Sequence, residues 1–264
     1  MARSAILNVM VNAARKAARG LLRDFGEVEN LQVSIKGPAD FVSAADHKAE
    51  QVIHEELSHA RPGYGFLMEE SGTIEGADKT HRWIVDPLDG TTNFLHGLPL
   101  FTISIGLERD GELVAGLIYN PVSEELYTAE KGNGAFLNDR RIRVAARQKL
   151  EEAVICCGIP HFGRGDHELF YKELGAILPK VAGVRRTGSS ALDLAWTASG
   201  KFDGYWERGL APWDIAAGIV IVREAGGLVS DFDDRQNMMN SGDIIAGNAT
   251  LQPEIIKTLR NAGK

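Results

Sequence analysis

Apolar residues recur at helical spacing near the start of the chain. Residues 4–25 carry one apolar stripe and predict a first amphipathic helix. A second helix is expected to begin at Ser43, where Asp46 three residues on fits a capping box. The stripe of the first helix consists of Ile6, Met10, Ala13, Ala17 and Leu21. The pattern therefore predicts two helices before the first long strand.

The next section alternates between apolar and polar positions, as strands do. Residues 102–107 and 113–119 predict two antiparallel strands, and an Asp-Gly pair between them supplies the hairpin turn. Shorter strands are expected at 125–129 and 134–137. The first half should thus consist of helices over an antiparallel sheet.

The second half mixes helices and strands more evenly. Strands are predicted at 153–158, 202–206, 228–232 and 244–246, and helices at 167–178, 190–199, 213–225 and the C-terminal end. No low-complexity linker separates the halves. We therefore expect one composite domain over residues 1–264, with an α+β part to about residue 145 and an α/β part from about 146.

Charge and cysteine content narrow the classes of function. The net charge of −7 argues against nucleic acid as the main ligand, but not against a phosphate ester, because a bound cation would supply local positive charge. The two cysteines are adjacent, at Cys156 and Cys157, and neighbours rarely form an unstrained disulfide, so buried thiols in a reducing compartment are expected. No run of 18 apolar residues occurs; we therefore expect no membrane span and a cytoplasmic location.

Residues 86–93, Asp-Pro-Leu-Asp-Gly-Thr-Thr-Asn, carry the clearest chemical signal. Mg²⁺ is usually held by a few carboxylates plus substrate phosphate, and the N–H groups of a helix start suit an anion. Taken alone, two aspartates around such a turn are more often a turn than a metal site. Glu69, after one predicted strand, and Asp214, at a helix start, strengthen the metal interpretation because element ends can meet in a cleft.

Three motifs give the chain a resemblance to the inositol monophosphatase family over nearly its whole length. They are Met68-Glu69-Glu70-Ser71, Trp83-Ile84-Val85-Asp86-Pro87-Leu88-Asp89-Gly90-Thr91-Thr92-Asn93-Phe94 and Trp213-Asp214-Ile215-Ala216-Ala217-Gly218. Residues 209–214 most resemble the bacterial branch known as extragenic suppressor proteins. The resemblance implies a layered α-β-α-β-α sandwich of the α+β class and Mg²⁺-dependent hydrolysis of inositol monophosphate. It also implies a homodimer that lithium inhibits.

The resemblance also implies a role for each site residue. The first Mg²⁺ would be held by Glu69, Asp86 and the carbonyl of Leu88, and the second by Asp86, Asp89 and Asp214. The family can bind a third ion through Glu69 and waters. The substrate would be bound by Gly90, Thr91, Asp89, Gly188, Ser190, Glu207 and Asp214.

Catalysis would use Thr91, hydrogen-bonded to Asp46, to help activate a water molecule. The residues alone leave other interpretations open. Asp46 also fits the cap of its own helix, and Asp214 fits a first-turn acid favoured by the helix dipole. Glu207 also fits a solvated acid at the end of a strand.

Two alternatives to inositol monophosphate hydrolysis remain at this stage. Related phosphatases act on fructose 1,6-bisphosphate, histidinol phosphate or 3′-phosphoadenosine 5′-phosphate. Bacterial relatives can instead bind the transcription machinery in roles tied to antitermination. In this chain such a surface role would use Arg185 and Arg186.

Overall fold

A computed structural model describes residues 3–27, 33–37, 40–161 and 163–262, with the backbone alone for 33–37 and 40–43. The helices are α1 (Ala5–Phe25), α2 (Ala44–Ala60), α3 (Thr91–Leu95), α4 (His167–Ile177), α5 (Ser190–Ala198), α6 (Pro212–Glu224), α7 (Met238–Ser241) and α8 (Leu251–Ala262). The strands are β1 (Val33–Gly37), β2 (Asp40–Ser43), β3 (Gly65–Met68), β4 (Gly72–Ile74), β5 (His81–Asp89), β6 (Thr102–Arg109), β7 (Glu112–Asn120), β8 (Glu125–Glu130), β9 (Gly134–Leu137), β10 (Arg140–Arg141), β11 (Val154–Cys157), β12 (Gly183–Arg185), β13 (Gly204–Glu207), β14 (Leu228–Ser230) and β15 (Ile244–Gly247).

An eight-stranded sheet forms the first half, in the order β10-β9-β8-β7-β6-β5-β3-β4. Its neighbours are antiparallel except for β3 and β5, which run parallel. The predicted β6–β7 hairpin is confirmed. Its turn residues Asp110 and Gly111 have φ of 52° and 77°, as a type I′ turn requires.

A second sheet of five strands, in the order β12-β11-β13-β15-β14, lies in the second half. Strand β11 is parallel to both of its neighbours, whereas β15 is antiparallel to β13 and β14. The remaining strands, β1 and β2, pair with each other as a hairpin.

The helices and sheets stack in five layers. Helices α1 and α2 cover one face of the larger sheet, α5 and α6 lie between the sheets, and α4 and α8 cover the outer face of the smaller one. Side chains of the central strands alternate between cores: Leu117 belongs to the outer core of the large sheet, and Ile118 to the core between the sheets. This confirms the α-β-α-β-α sandwich.

Several features follow from this layering. Helix α6 confirms the helix predicted at 213–225, and every residue from Ile215 to Val222 is buried because α6 lies between the two sheets. Both cysteines are buried and free, and burial raises the pKa of Cys157 to about 12, so its thiol stays protonated at neutral pH. Among the helices of the described ranges, none has both the length and the apolar character to cross a membrane.

The structure also contains elements that the sequence pattern did not predict. The sequence predicted only helices before the first long strand, but the short strands β1 and β2 precede α2. The short elements β10, β12 and α7 were missed as well. Elements of two to five residues are too short to show a hydrophobic periodicity. The capping box predicted at Ser43 lies outside the described side chains.

Candidate active site

Two acidic residues stand side by side at one edge of the large sheet. Parallel pairing puts Met68 of β3 opposite Val85 of β5, so Glu69 and Asp86 follow paired residues. The backbone N–H of Glu69 donates to the carbonyl of Val85 at 3.2 Å. The register of two strands thus sets the position of both carboxylates.

A β-bulge brings Asp89 to the same cavity as Asp86. On a regular strand, residues three apart face opposite sides of the sheet. Here Asp86 pairs with Ser104 and Asp89 with Thr102, so β5 contains one residue more than β6 between these pairs. Such an extra residue re-aims the side chains that follow it. Pro87, which has no N–H for the ladder, sits in this irregular segment.

Helix α6 supplies Asp214, which forms an acidic cluster with Asp86 and Asp89. The carboxylate of Asp214 accepts a hydrogen bond from the backbone N–H of Ala211 at 2.8 Å, so it caps its own helix. One carboxylate oxygen from each of Asp86, Asp89 and Asp214 lies within 4.8 Å of the other two. The capping role and the predicted place in the acidic cluster therefore coexist in Asp214.

Helix α5 holds Asp89 from the opposite side of the cleft. The Asp89 Oδ2 atom accepts hydrogen bonds from the hydroxyl of Ser189 and, at 2.8 Å, from the backbone N–H of Ala191. Ser189 is also the N-cap of α5, where its hydroxyl accepts from the N–H of Leu192. A carboxylate at a helix N-terminus is stabilised by the helix dipole.

Burial and crowding disfavour the charged forms of these acids. Burial, then the neighbouring charge of Glu69, raises the pKa of Asp86 well above its usual range. Burial and the charge of Asp89 do the same to the pKa of Asp214. Burial raises the pKa of Asp89 to about 6, although its hydrogen bonds oppose the change. A cation bound among these carboxylates would offset the repulsion between their negative charges.

The donor set fits a hard divalent cation. Carboxylate oxygens converge from Asp86, Asp89 and Asp214, and Glu69 and Leu88 line the same cavity. The Leu88 carbonyl accepts the Thr91 hydroxyl at 3.0 Å, and its second lone pair can still serve a metal ion. Oxygen-only donors of this kind suit Mg²⁺ or Mn²⁺ rather than a soft metal.

Helix α2 supports the turn after β3. Glu50, buried, accepts from the backbone N–H of Glu70 at 2.8 Å and from the hydroxyl of Ser71 at 2.5 Å. Asp46 lies one helical turn earlier and is also buried. Asp46 is not among the described residues that line the cavity. The hydrogen bond between Asp46 and Thr91 therefore stays a prediction.

The start of α3 brings backbone close to the acidic cluster. Gly90 has a φ of 93°, and a Cβ there would lie 2.9 Å from the carbonyl oxygen of Leu100. Only glycine combines this φ with so close an approach. The amide of Asn93 in this helix donates to the carbonyls of Leu100 and Thr187, at 2.6 and 2.9 Å. Asn93 thus ties α3 to the loop before α5.

A cavity of about 270 Å³ opens over these groups. The predicted site residues that line it are Glu69, Asp86, Leu88, Asp89, Gly90, Thr91, Gly188, Ser190, Glu207 and Asp214. Glu207 lines the cavity from the end of β13 in the small sheet, whereas Asp86 and Asp89 line it from β5 in the large sheet. Burial raises the pKa of Glu207 to about 7, against a hydrogen bond from Tyr205.

Several residues of this site were missed at the sequence level. Ser189 bonds Asp89, Glu50 supports the turn after β3, and Arg164 and His161 line the cavity. Arg186, which the sequence suggested for a surface role, lines the cavity as well. A serine at a predicted helix start was a usable signal for Ser189. Nothing in the local pattern marks Glu50, Arg164 or His161 as site residues, because their partners or the cavity wall come from distant parts of the chain.

Comparison with known proteins shows which family the chain matches. Residues 2–264 match the model of the Inositol monophosphatase family. The chain is 64% identical over 260 residues to the Inositol-1-monophosphatase of Mesorhizobium japonicum, covering 98% of both chains. It is 41% identical over 256 residues to the Nus factor SuhB of Escherichia coli, covering 97% of this chain and 96% of that one.

Among solved structures, the extragenic suppressor protein suhB from Bartonella henselae superposes with a TM-score of 0.95. The two sequences are 56% identical, and the alignment covers 97% of this chain and 99% of that chain. The fold therefore has a counterpart over nearly the whole chain.

Proposed function

Because this chain belongs to the inositol monophosphatase family, we propose that it is a Mg²⁺-dependent phosphomonoesterase that hydrolyses inositol monophosphate to inositol and phosphate. One observation carries the proposal: three carboxylates, from Asp86, Asp89 and Asp214, converge in a cavity that Glu207 lines from the small sheet. The acidic cluster, with its metal ions, would bind the phosphate of the substrate, and Glu207 would bind its polyol.

The metal ligands in this proposal come from three elements. Glu69, Asp86 and the Leu88 carbonyl would hold one Mg²⁺, and Asp86, Asp89 and Asp214 a second; Glu69 with waters could hold a third. When bound, such ions polarise the phosphoryl group and make coordinated water acidic. Asp86 would contribute to both sites, since the charges of Glu69, Asp89 and Asp214 all act on its carboxyl group and raise its pKa.

The chain's own groups then bind, orient and handle protons. Backbone N–H groups at Gly90 and Thr91 bind phosphate oxygens, with Gly188 and Ser190 on the facing loop. The Thr91 hydroxyl donates a hydrogen bond to the Leu88 carbonyl, so its lone pairs can accept a hydrogen bond from the attacking water. To pass a proton on, Thr91 would turn its own hydroxyl hydrogen from Leu88 to Asp46 as it accepts the proton of the water. Glu207 accepts hydrogen bonds from substrate hydroxyls.

The test is phosphate release by the purified full-length protein. We expect Mg²⁺-dependent release from inositol 1-phosphate that a chelator abolishes and added Mg²⁺ restores. Fructose 1,6-bisphosphate, histidinol phosphate and 3′-phosphoadenosine 5′-phosphate form the comparison panel. A higher kcat/KM on one of these esters would reassign the substrate, and no release from any of them would refute the proposal.

A second candidate function is supported by the 41% identity to the Nus factor SuhB of Escherichia coli. We propose contact with the transcription machinery through Arg185, which is exposed on the edge strand β12. Arg186 was expected to share this role, and it also lines the cavity. Binding of purified RNA polymerase to the Asp89→Asn protein, lost in Arg185→Ala, would separate this role from catalysis.

Further properties of the proposal rest on the family resemblance. We propose one composite domain over 1–264, because α5 and α6 pack against both sheets. We also propose a homodimer, inhibition by lithium and a cytoplasmic location, the last in keeping with two free thiols. Light scattering would test the homodimer, and a lithium titration of the phosphatase activity would test the inhibition.

A further inference from the structure

Tyr205 makes a short hydrogen bond to the acid on the polyol side of the cavity. Its side chain is fully buried, and its phenol donates to the Glu207 Oε2 atom at 2.5 Å. The two residues are two apart on β13, so they project from the same face of the strand. One carboxylate oxygen of Glu207 is therefore occupied from within the protein.

Gly158 supports the same carboxylate from a second side. A Cβ built on Gly158 would lie 1.7 Å from the Glu207 Cδ atom, the closest such approach among the described glycines. The backbone N–H of Gly158 donates to the carbonyl of Trp206 at 3.1 Å, which holds the two segments together. Gly158 has no positive φ, so what matters there is the absence of a side chain rather than backbone freedom.

We propose that Tyr205 is a positioning residue and Gly158 a specificity-determining residue, which together fix Glu207 so that its Oε1 atom accepts hydrogen bonds from polyol hydroxyls. The proposal rests on the proposed phosphatase function and names what selects its substrate class. The phenol can donate one hydrogen bond, and it donates this to the Oε2 atom of Glu207. The Oε1 atom is then available to accept from the substrate, on a side chain that lines the cavity.

The chain contains a second tyrosine–glutamate pair that serves as a matched control. Tyr127 donates to Glu125 at 2.9 Å, is buried, and also lies two residues from its partner on one strand. Glu125 bonds Trp196 and Lys201 and is not among the described residues that line the cavity. Tyr127→Phe therefore removes a buried hydrogen bond of the same kind without touching the site.

The first experiment compares Tyr205→Phe with Tyr127→Phe on two substrates, inositol 1-phosphate and phenyl phosphate, whose leaving group carries no further hydroxyl. We expect Tyr205→Phe to raise KM for inositol 1-phosphate about tenfold, the worth of one hydrogen bond to a charged group, with kcat nearly unchanged. Phenyl phosphate kinetics should stay the same. Tyr127→Phe should leave both substrates unaffected. An equal loss on both substrates, or no change on either, would overturn the proposal.

A double-mutant cycle tests whether Tyr205 acts through Glu207. If it does, adding Tyr205→Phe to Glu207→Gln should not change KM for inositol 1-phosphate further. Additive effects would show that Tyr205 has a separate, purely structural role. This cycle needs only the polyol substrate, so it decides the question even if phenyl phosphate is a poor substrate.

The third variant adds a side chain under Glu207. Gly158→Ala must displace the carboxylate, and we expect a selective rise in KM for inositol 1-phosphate, as for Tyr205→Phe. Gly175→Ala is the control, since a Cβ at that position meets nothing within 4 Å. Unchanged KM in a folded Gly158→Ala protein would contradict the proposal. If the wild type releases no phosphate from any ester, the proposed phosphatase function is refuted. If the wild type is active but the variants show no selective change in KM, only the role of Tyr205 and Gly158 is refuted.

Discussion

The two walls of the cavity share one backbone arrangement and differ in how their carboxylates are held. On the metal wall, Glu69 and Asp86 follow a pair of residues in the parallel strands β3 and β5, and a bulge aims Asp89. On the polyol wall, Gly158 and Glu207 likewise follow a pair of residues in the parallel strands β11 and β13. The carboxylate of Asp89 accepts hydrogen bonds from two residues of α5, whereas the hydrogen bond to Glu207 comes from Tyr205. The chemistry of the site should therefore be more resistant to substitution than its substrate preference.

The walls meet at contacts that cross between the two halves of the chain. Ser189 and Ala191 reach Asp89 from about one hundred residues away, and Asn93 reaches the carbonyl of Thr187. The metal wall therefore depends on the second half for support. The polyol wall receives comparable support from Tyr205 within its own sheet.

Asp89→Asn should have the largest effect, because it alters the metal wall directly. We expect kcat to fall by more than about 10²-fold, the upper range for loss of an outer-shell partner, since a ligand itself is changed. Both inositol 1-phosphate and phenyl phosphate should be affected equally. Steady-state kinetics across a Mg²⁺ titration measures this.

Asp110→Asn is the matched control for that substitution. Asp110 is exposed in the β6–β7 turn, and asparagine tolerates its positive φ. Its activity should equal that of the wild type. Full activity of Asp89→Asn at saturating Mg²⁺ would show that the metal wall does not work as described.

Ser189→Ala should have an intermediate effect, on the link between the walls. It removes both the hydrogen bond to Asp89 and the cap of α5, so we expect weaker Mg²⁺ binding by about 10–100-fold and a stability loss of about 1 kcal/mol. Calorimetric Mg²⁺ titration and thermal unfolding measure the two effects.

Asp166→Ala separates the two contributions, because Asp166 caps α4 through the N–H of Leu169 and lies on the surface. It should lose similar stability with no change in Mg²⁺ binding. Equal Mg²⁺ affinity in Ser189→Ala and Asp166→Ala would show that the hydrogen bond from Ser189 to Asp89 does not contribute to metal binding.

The smallest effect expected is a pH dependence of stability in the metal-free protein. The folded pKa of Asp89, about 6, lies above its ordinary value of 3.8, so the folded state binds more protons between these values. Stability contributed by the protonated form is present at low pH and is lost as pH rises from about 4 to 6. In chelator, the melting temperature of Asp89→Asn should therefore fall less than that of the wild type over this range. Parallel curves would mean that Asp89 is not perturbed.

The sequence predicts the metal wall better than the polyol wall, for a physical reason. Hydrophobic periodicity located β6, β7 and α6, and the acids at element ends indicated a shared cleft. The bulge at Pro87, which aims Asp89, depends on pairing with Thr102 and Ser104 and has no local signature. The contact of Gly158 with Glu207 joins residues almost fifty positions apart, and no pattern within either segment predicts it.

The attachment of Asp89 to α5 limits how substrate and product can travel. Asp89 belongs to the large sheet, and its donors Ser189 and Ala191 belong to a helix that also packs on the small sheet. If the sheets swung apart to release inositol, the carboxylate would lose its anchors and the metal cluster its shape. We therefore expect inositol to leave past Ile159 and Arg164 at the rim, while the layers behind them stay closed.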